Sequence, residues 1–153
     1  MTSRIFLDTS GWLAAVNTRD SRHKDVVKAY DELLAARAAF VTSSLVISEM
    51  HALVVRERGA KAGCDLLDAV YSDPHYHIVA VDRDLEIAAT DRWLRRFEQK
   101  FSLADAVSFE IMQTERIRQA LALDHHFEVA GYDLVPAPKR SATPAAKKKQ
   151  KTP

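Results

Sequence analysis

The chain has 153 residues, of which 47% are hydrophobic and 28% are charged, a balance typical of one globular domain. Its single cysteine excludes an intramolecular disulfide framework and a multi-cysteine metal cluster. No run approaches about 18 consecutive apolar residues, so a membrane span is not expected. The acidic residue Asp8 comes too early for the apolar region of a secretory signal peptide, which favours a cytoplasmic protein.

Short apolar runs alternate with longer helical patterns along the chain. The sequence predicts strands near residues 4–8, 40–42, 77–81, 120–123 and 134–135. It predicts helices near residues 10–17, 24–37, 44–57, 60–70, 85–97, 103–115 and 125–130. This alternation is typical of an α/β protein with a central parallel β-sheet flanked by helices on both faces.

The net charge of +1 conceals two regions of opposite charge. Residues 137–153 contain six basic residues and no acid, so residues 1–136 carry 16 basic against 21 acidic groups, a formal charge of −5. The terminal segment also contains three prolines and no large apolar residue. Such a composition cannot bury a core, so we predict a folded domain over 1–136 and a disordered basic tail over 137–153.

Four acidic residues lie at positions that suggest more than a solvated surface. Asp8 ends the first predicted strand, Asp124 follows the fourth, and Asp105 lies in the first turn of a helix. Each of these three could cap a helix, because Asp accepts hydrogen bonds from the free N–H groups there. Glu49 lies on or at the edge of the apolar stripe of its helix, where a carboxylate is costly unless it reaches water or a salt bridge.

Together, the four acids indicate a metal site. The carboxyl ends of parallel strands open into one crevice, so these groups are expected to converge there. Converging carboxylates repel one another unless they are protonated or a cation neutralises them. Oxygen ligands without a His or Cys cage favour Mg²⁺ or Mn²⁺ over zinc, and such a site suits the hydrolysis of phosphodiester bonds.

The segments that carry these acids are FLDTSGW (6–12), SLVISEM (44–50), FSLADAVSFEIM (101–112) and ALALDHHFEVAGY (120–132). Their order, with intervals of 41, 56 and 19 residues between the acids, resembles the PIN-domain proteins of the VapC toxin type over about residues 4–136. The resemblance implies a PIN-like fold and a Mg²⁺- or Mn²⁺-dependent endoribonuclease. The metal-binding catalytic acids of the family map onto Asp8, Glu49, Asp105 and Asp124. Its small polar residue maps onto Thr9 or Ser10, whereas Ala104 stands where relatives commonly have Thr.

The resemblance also implies partners. Toxins of this kind act on RNA and are inhibited by a small antitoxin protein, for which the helices at 45–56 and 62–71 are the candidate contact surface. Such toxins also form homodimers, and here Trp93 or Phe97 could supply an apolar interface.

Other functions fit the sequence less well or remain open. A phosphatase of the haloacid dehalogenase kind is disfavoured, because Ser10 stands where its second Asp is needed and no lysine occurs between Lys100 and Lys139. A housekeeping PIN nuclease that is not a toxin, and a non-catalytic PIN module that binds RNA or protein, stay as alternatives.

Two further positions receive ordinary structural predictions. His125 and His126 are adjacent, so on a helix their side chains would diverge, and surface or capping roles are expected. Cys64 lies among apolar residues of a predicted helix, which favours a small buried side chain.

Overall fold

The computed structural model describes residues 3–139. Its strands are β1 (Arg4–Leu7), β2 (Ala39–Ser43), β3 (Tyr76–Val79), β4 (Gln119–Leu121) and β5 (Asp133–Val135). They form one sheet in the order β3-β2-β1-β4-β5, and every neighbouring pair is parallel. The predicted central parallel sheet is therefore confirmed, and the strand ends differ from the sequence prediction by one or two residues.

The helices are α1 (Thr9–Val16), α2 (His23–Ala35), α3 (Ser44–Arg58), α4 (Ala60–Ser72), α5 (Arg83–Ala89), α6 (Leu103–Thr114) and α7 (His126–Val129). The helix predicted over 85–97 is α5 followed by a π-helical turn over Thr90–Leu94. Crossovers between parallel strands are right-handed, so the reversal of strand order at β1 places α1–α4 on one face and α5–α7 on the other. Over residues 3–139, no helix is long and apolar enough to cross a membrane.

Each face of the sheet carries its own aromatic core. On one face, the ring of Phe40 lies 4.9 Å from Tyr30 of α2 and 5.7 Å from Tyr76, centroid to centroid. Phe6 lies one register position away, so it points to the opposite face, where it packs 6.1 Å from Phe127 of α7. Phe6, Phe40 and Phe127 are fully buried. Burial of each such side chain stabilises the folded state by about 1.5–3 kcal/mol, so apolar packing holds both layers of helices on the sheet.

Cys64 is exposed, so the prediction of a buried side chain was wrong. Helix α4 buries Gly63 and Val70 and half-buries Leu66 and Leu67. Leu66, Leu67 and Val70 lie three, four and seven residues after Gly63. That spacing defines the inward stripe of the helix, and Cys64 lies one position outside it.

Trp93, a candidate for the dimer interface, lies in the core and is only 5% exposed. Its ring centroid lies 5.3 Å from Phe109, and its Nε1–H donates a hydrogen bond of 3.1 Å to the buried Glu110. Arg92 pairs with the same carboxylate at 2.8 Å. Trp93 therefore cannot supply an exposed patch, whereas its neighbour Phe97 is 37% exposed and remains the candidate for the predicted dimer contact.

The first residues of the predicted tail contact α2. Nη2 of Arg22 donates to the carbonyl oxygen of Ala137 at 3.0 Å, and Nζ of Lys139 lies 2.9 Å from a carboxylate oxygen of Asp25. Residues 140–153 lie outside the described residues. The disordered tail and the domain boundary at residue 136 stay predictions.

Candidate active site

The sheet topology brings the segments that carry the four acids to the carboxyl ends of β1 and β4. Asp8 directly follows β1, and Asp124 follows β4 by three residues. Glu49 lies on α3, which continues directly from β2, and Asp105 lies in the first turn of α6. The strand order changes direction between β1 and β4, and the crevice at such a switch point is where ligands bind in open α/β sheets.

Asp8 is the most buried of the four acids, with 9% of its surface exposed. Its Oδ2 accepts hydrogen bonds from the backbone N–H of Ser10 at 3.0 Å and from Ser10 Oγ at 2.5 Å, so it caps α1. Ser10 Oγ in turn accepts the N–H of Leu123 at 3.0 Å. Ser10 therefore ties the carboxylate at the end of β1 to the chain leaving β4.

Gly11 permits this close approach of α1 to β4. A Cβ atom at this position would lie 2.2 Å from the carbonyl oxygen of Leu121, far inside van der Waals contact. Any side chain at residue 11 would therefore push the start of α1, and with it Asp8 and Ser10, away from the end of β4.

Asp105 and Ser102 form a reciprocal capping box at the start of α6. Asp105 Oδ2 accepts the N–H of Ser102 at 2.9 Å, and the N–H of Asp105 donates to Ser102 Oγ at 3.0 Å. The same Oδ2 also lies 3.1 Å from Nδ1 of His126. The capping interpretation of Asp105 is thus correct, and it accounts for one of the two carboxylate oxygens.

Asp124 is fixed by the turn that leads into α7. Its Oδ1 accepts the backbone N–H of His126 at 3.0 Å, while its Oδ2 lies 3.6 Å from Nδ1 of the same histidine. His126 therefore lies between Asp105 and Asp124 and contacts both.

Glu49 reaches the site from α3, where it lies at the edge of the apolar stripe and not at its centre. The buried residues of α3 are Val46, Ile47 and Met50, whereas Glu49 is exposed. Its Oε2 accepts a hydrogen bond of 2.8 Å from Oγ1 of Thr9, the residue next to Asp8. Glu49 thus lies at the edge of the stripe and reaches water, so no burial cost arises there.

The charges of the cluster act on one another. The pKa of Asp8 is raised from 3.8 to about 6. Burial is the largest cause, the hydrogen bonds from Ser10 oppose it, and the negative charges of Asp105 and Asp124 add to it. These three carboxylates are therefore close enough to interact. A cation among them would relieve both the desolvation and the repulsion that disfavour the ionised form of Asp8.

The hydrogen bonds leave one oxygen of each acid open. Among the described residues, no hydrogen bond reaches four of the eight carboxylate oxygens, namely Oδ1 of Asp8, Oε1 of Glu49, Oδ1 of Asp105 and Oδ2 of Asp124. The second oxygen of each carboxylate accepts at least one hydrogen bond, which fixes the orientation of the side chain. Oxygen ligands of this kind fit Mg²⁺ or Mn²⁺. Over residues 3–139, no three of these acids have ligand atoms within 4.8 Å of one another, so a cation would have to draw them together.

The histidines next to Asp124 lie closer to the acids than the sequence predicted. The rings of His125 and His126 do not diverge: their centroids lie 4.7 Å apart at the start of α7. Ligand atoms of Asp124, His125 and His126 lie within 4.8 Å of one another. The signal in the sequence was the Asp-x-His spacing, because an Asp side chain that accepts the N–H two residues on folds the chain back over itself.

This fold and this cluster of acids define a class of protein. The chain matches the PIN domain family over residues 5–131 and therefore belongs to that family. It is 33% identical over 129 residues to the 23S rRNA-specific endonuclease VapC20 of Mycobacterium tuberculosis, in a match that covers 84% of this chain and 95% of the relative.

Solved structures agree with this assignment. The crystal structure of Mycobacterium tuberculosis VapC20, described as a sarcin-ricin loop cleaving toxin, matches with a TM-score of 0.71 and 32% identity. The match covers 84% of this chain and 95% of that one. FitAcB from Neisseria gonorrhoeae has a TM-score of 0.62 at 15% identity, covering 85% and 95% of the two chains, and supports the fold alone. The PIN-like fold and the VapC-type ribonuclease class predicted from the motifs are confirmed.

Proposed function

We propose that this protein is a Mg²⁺- or Mn²⁺-dependent endoribonuclease toxin that cleaves ribosomal RNA in the cytoplasm. In this proposal, the catalytic and metal-binding groups are the carboxylates of Asp8, Glu49, Asp105 and Asp124. The observation that supports it most directly is the open oxygen on each of these four fixed side chains.

The four acids need a cation before they can accept a substrate. RNA is a polyanion, and carboxylates at the carboxyl ends of β1 and β4 repel its phosphates. A bound divalent cation would activate water, polarise the phosphoryl group and screen the phosphate from the acids. Because Asp8 and Asp105 are already held by α1 and α6 through their caps, little reorganisation is needed when they bind the cation.

Ribosomal RNA is the proposed substrate because the relative VapC20 cleaves ribosomal RNA. VapC20 is a 23S rRNA-specific endonuclease, and it shares one third of its residues with this chain over nearly its whole length. A match of this extent in sequence and in fold favours the same class of substrate for both proteins.

A small antitoxin is the proposed protein partner, and α3 and α4 are its proposed contact surface. Tyr71 on α4 is 62% exposed, an unusual state for a large aromatic side chain and one that suits a partner contact. A basic side chain from the partner, placed near the open oxygens of Asp8 and Asp105, would occupy the place of the cation. The homodimer also stays a proposal, with Phe97 as the candidate contact.

Cleavage of RNA by the purified protein tests the function. We expect a ribosomal RNA fragment to be cut with Mg²⁺ or Mn²⁺, to stay intact with EDTA, and to stay intact with the folded Asp8→Asn variant. Binding without cleavage under all conditions would favour the non-catalytic module. Cleavage without growth arrest on expression would favour a housekeeping nuclease, and restoration of growth by a co-expressed small protein would identify that protein as the antitoxin.

A further inference from the structure

His126 is the side chain that links two of the four acids. Its Nδ1 lies 3.1 Å from Oδ2 of Asp105, and its backbone N–H donates to Oδ1 of Asp124 at 3.0 Å. We propose that His126 is a positioning residue that holds the Asp105 carboxylate in the orientation in which it binds the divalent cation. This inference rests on the proposed function.

Packing fixes the imidazole ring of His126. The side chain is 22% exposed, and its ring meets Phe101 edge to face, with 5.3 Å between the ring centroids and an angle of 78° between the planes. Phe101 is itself buried and packs edge to face on Phe109 in the core, 5.1 Å away. The ring is therefore held by the core of the α6 face, and its Nδ1 is presented to Asp105 without being free to rotate away.

The hydrogen bond from His126 is a second bond to the oxygen of Asp105 that the cap already holds, and it leaves the other oxygen open. Oδ2 accepts both the N–H of Ser102 at 2.9 Å and Nδ1–H of His126 at 3.1 Å, so Oδ1 is left for the cation. The neutral imidazole with its proton on Nδ1 is sufficient for this role. Without the second donor, the carboxylate keeps only its capping bond, and its plane can turn about the Cβ–Cγ bond. Hydrogen bonds to ligating carboxylates commonly change metal affinity by about 10- to 100-fold.

The neighbouring histidine shows why the role belongs to residue 126. The side chain of His125 is 73% exposed, and its Nδ1 lies 3.6 Å from Asp124, beyond a hydrogen bond. Among the described residues, His125 makes no contact with Asp105 that would fix the carboxylate. His125 therefore serves as the matched control for the loss of an imidazole at the same turn.

Two amide variants separate the role of Nδ1 from that of the ring. Asn places its side-chain N–H₂ close to the position of Nδ1, whereas Gln places it one carbon further out, near Nε2. The full chain, with His126→Asn, His126→Gln and His125→Gln, is titrated with Mn²⁺ by calorimetry and electron paramagnetic resonance. Cleavage of a ribosomal RNA fragment is then measured for kcat and KM, with circular dichroism as the check of folding.

We expect His126→Gln to bind Mn²⁺ about 10-fold more weakly and to lose kcat with little change in KM. His126→Asn should recover most of both losses, and His125→Gln should change Mn²⁺ affinity less than His126→Gln does. Wild-type affinity in His126→Gln, or a loss in His126→Asn as large as in His126→Gln, would overturn the positioning role. A wild-type protein that neither binds Mn²⁺ nor cleaves RNA would instead refute the proposed function itself, and this inference with it.

Discussion

The ionised form of Asp8 should destabilise the folded protein in the absence of a divalent cation, and Asp8→Asn should relieve this cost. The rise of its pKa from 3.8 to about 6 corresponds to about 3 kcal/mol of disfavoured ionisation. Asn keeps one oxygen that can accept the bonds from Ser10, and it carries no charge to desolvate. At pH 8 in EDTA, the variant should therefore be more stable by up to about 3 kcal/mol, or about 6–12 °C in Tm.

The pH dependence follows from the direction of the pKa change. Well below pH 3.8, Asp8 is protonated in both the folded and the unfolded chain, so its ionisation costs nothing. Between 3.8 and about 6, the unfolded chain loses its proton first, so the folded state loses stability as the pH rises. The wild-type protein and Asp8→Asn should consequently differ by less than about 1 kcal/mol at pH 4 and by the full amount at pH 8.

Urea unfolding at the two pH values, in EDTA and in Mg²⁺, measures this difference. Asp31→Asn is the matched control, because Asp31 is exposed on α2 and the substitution removes the same charge. Mg²⁺ should stabilise the wild-type protein by about 2.7 kcal/mol at 100 times its Kd, and should stabilise Asp8→Asn less. Equal urea midpoints for wild type and Asp8→Asn at pH 8 in EDTA would refute the argument from burial and repulsion.

Three other changes have expected outcomes. Glu110→Ala should lower the free energy of unfolding by about 2 kcal/mol, because the buried indole N–H of Trp93 loses its acceptor; an unchanged urea midpoint would contradict this. Gly11→Ala should lower the free energy of unfolding by about 1–3 kcal/mol and reduce RNA cleavage, since the new methyl group would lie 2.2 Å from the carbonyl oxygen of Leu121. Full cleavage activity would show that α1 can shift without harm to the site. Removal of residues 140–153 should leave Tm unchanged and weaken RNA binding mainly at low salt, because five basic residues are lost. Fluorescence anisotropy at two salt concentrations measures the binding, and a large fall in Tm would place the tail in the fold.

The fold was predictable because its signals are local. Apolar runs such as Ile5–Leu7 alternate with helical patterns, and each pattern except the one over 85–97 became the expected element. The errors lie where tertiary packing decides the outcome. One apolar pattern covers both α5 and the π-helical turn at Thr90–Leu94, so the sequence predicted a single helix there. Cys64 lies one residue after the buried Gly63 on α4, which is enough to turn its side chain to the surface. Periodicity gives the inward face of a helix only to within about one residue, and an additional residue in a turn shifts that face.

The site was predictable in its acids but not in its hydrogen bonds. The order and spacing of four motifs identified Asp8, Glu49, Asp105 and Asp124, whose roles stay a proposal. The contact of His126 with Asp105 joins residues 21 positions apart, on two different helices, and no local pattern reports such a contact. The bond from Thr9 to Glu49 likewise joins α1 to α3 across 40 positions.

Capping and metal binding are compatible roles for the same acids. Asp8 and Asp105 each satisfy a helix start with one oxygen, Oδ2, and no donor within residues 3–139 reaches Oδ1. A carboxylate on a flexible side chain would lose conformational freedom when it bound a cation, whereas these two have already lost it through folding. Helix capping therefore lowers the entropic cost of assembling a site from charges that repel one another. It follows that Ser10→Ala, which removes the Oγ donor to Asp8 and the acceptor of the Leu123 N–H but no proposed ligand, should weaken Mn²⁺ binding. Ser102→Ala keeps the backbone N–H that holds the Asp105 carboxylate, so it should weaken Mn²⁺ binding less. Unchanged Mn²⁺ affinity in Ser10→Ala would show that the cap at Asp8 stabilises the helix alone.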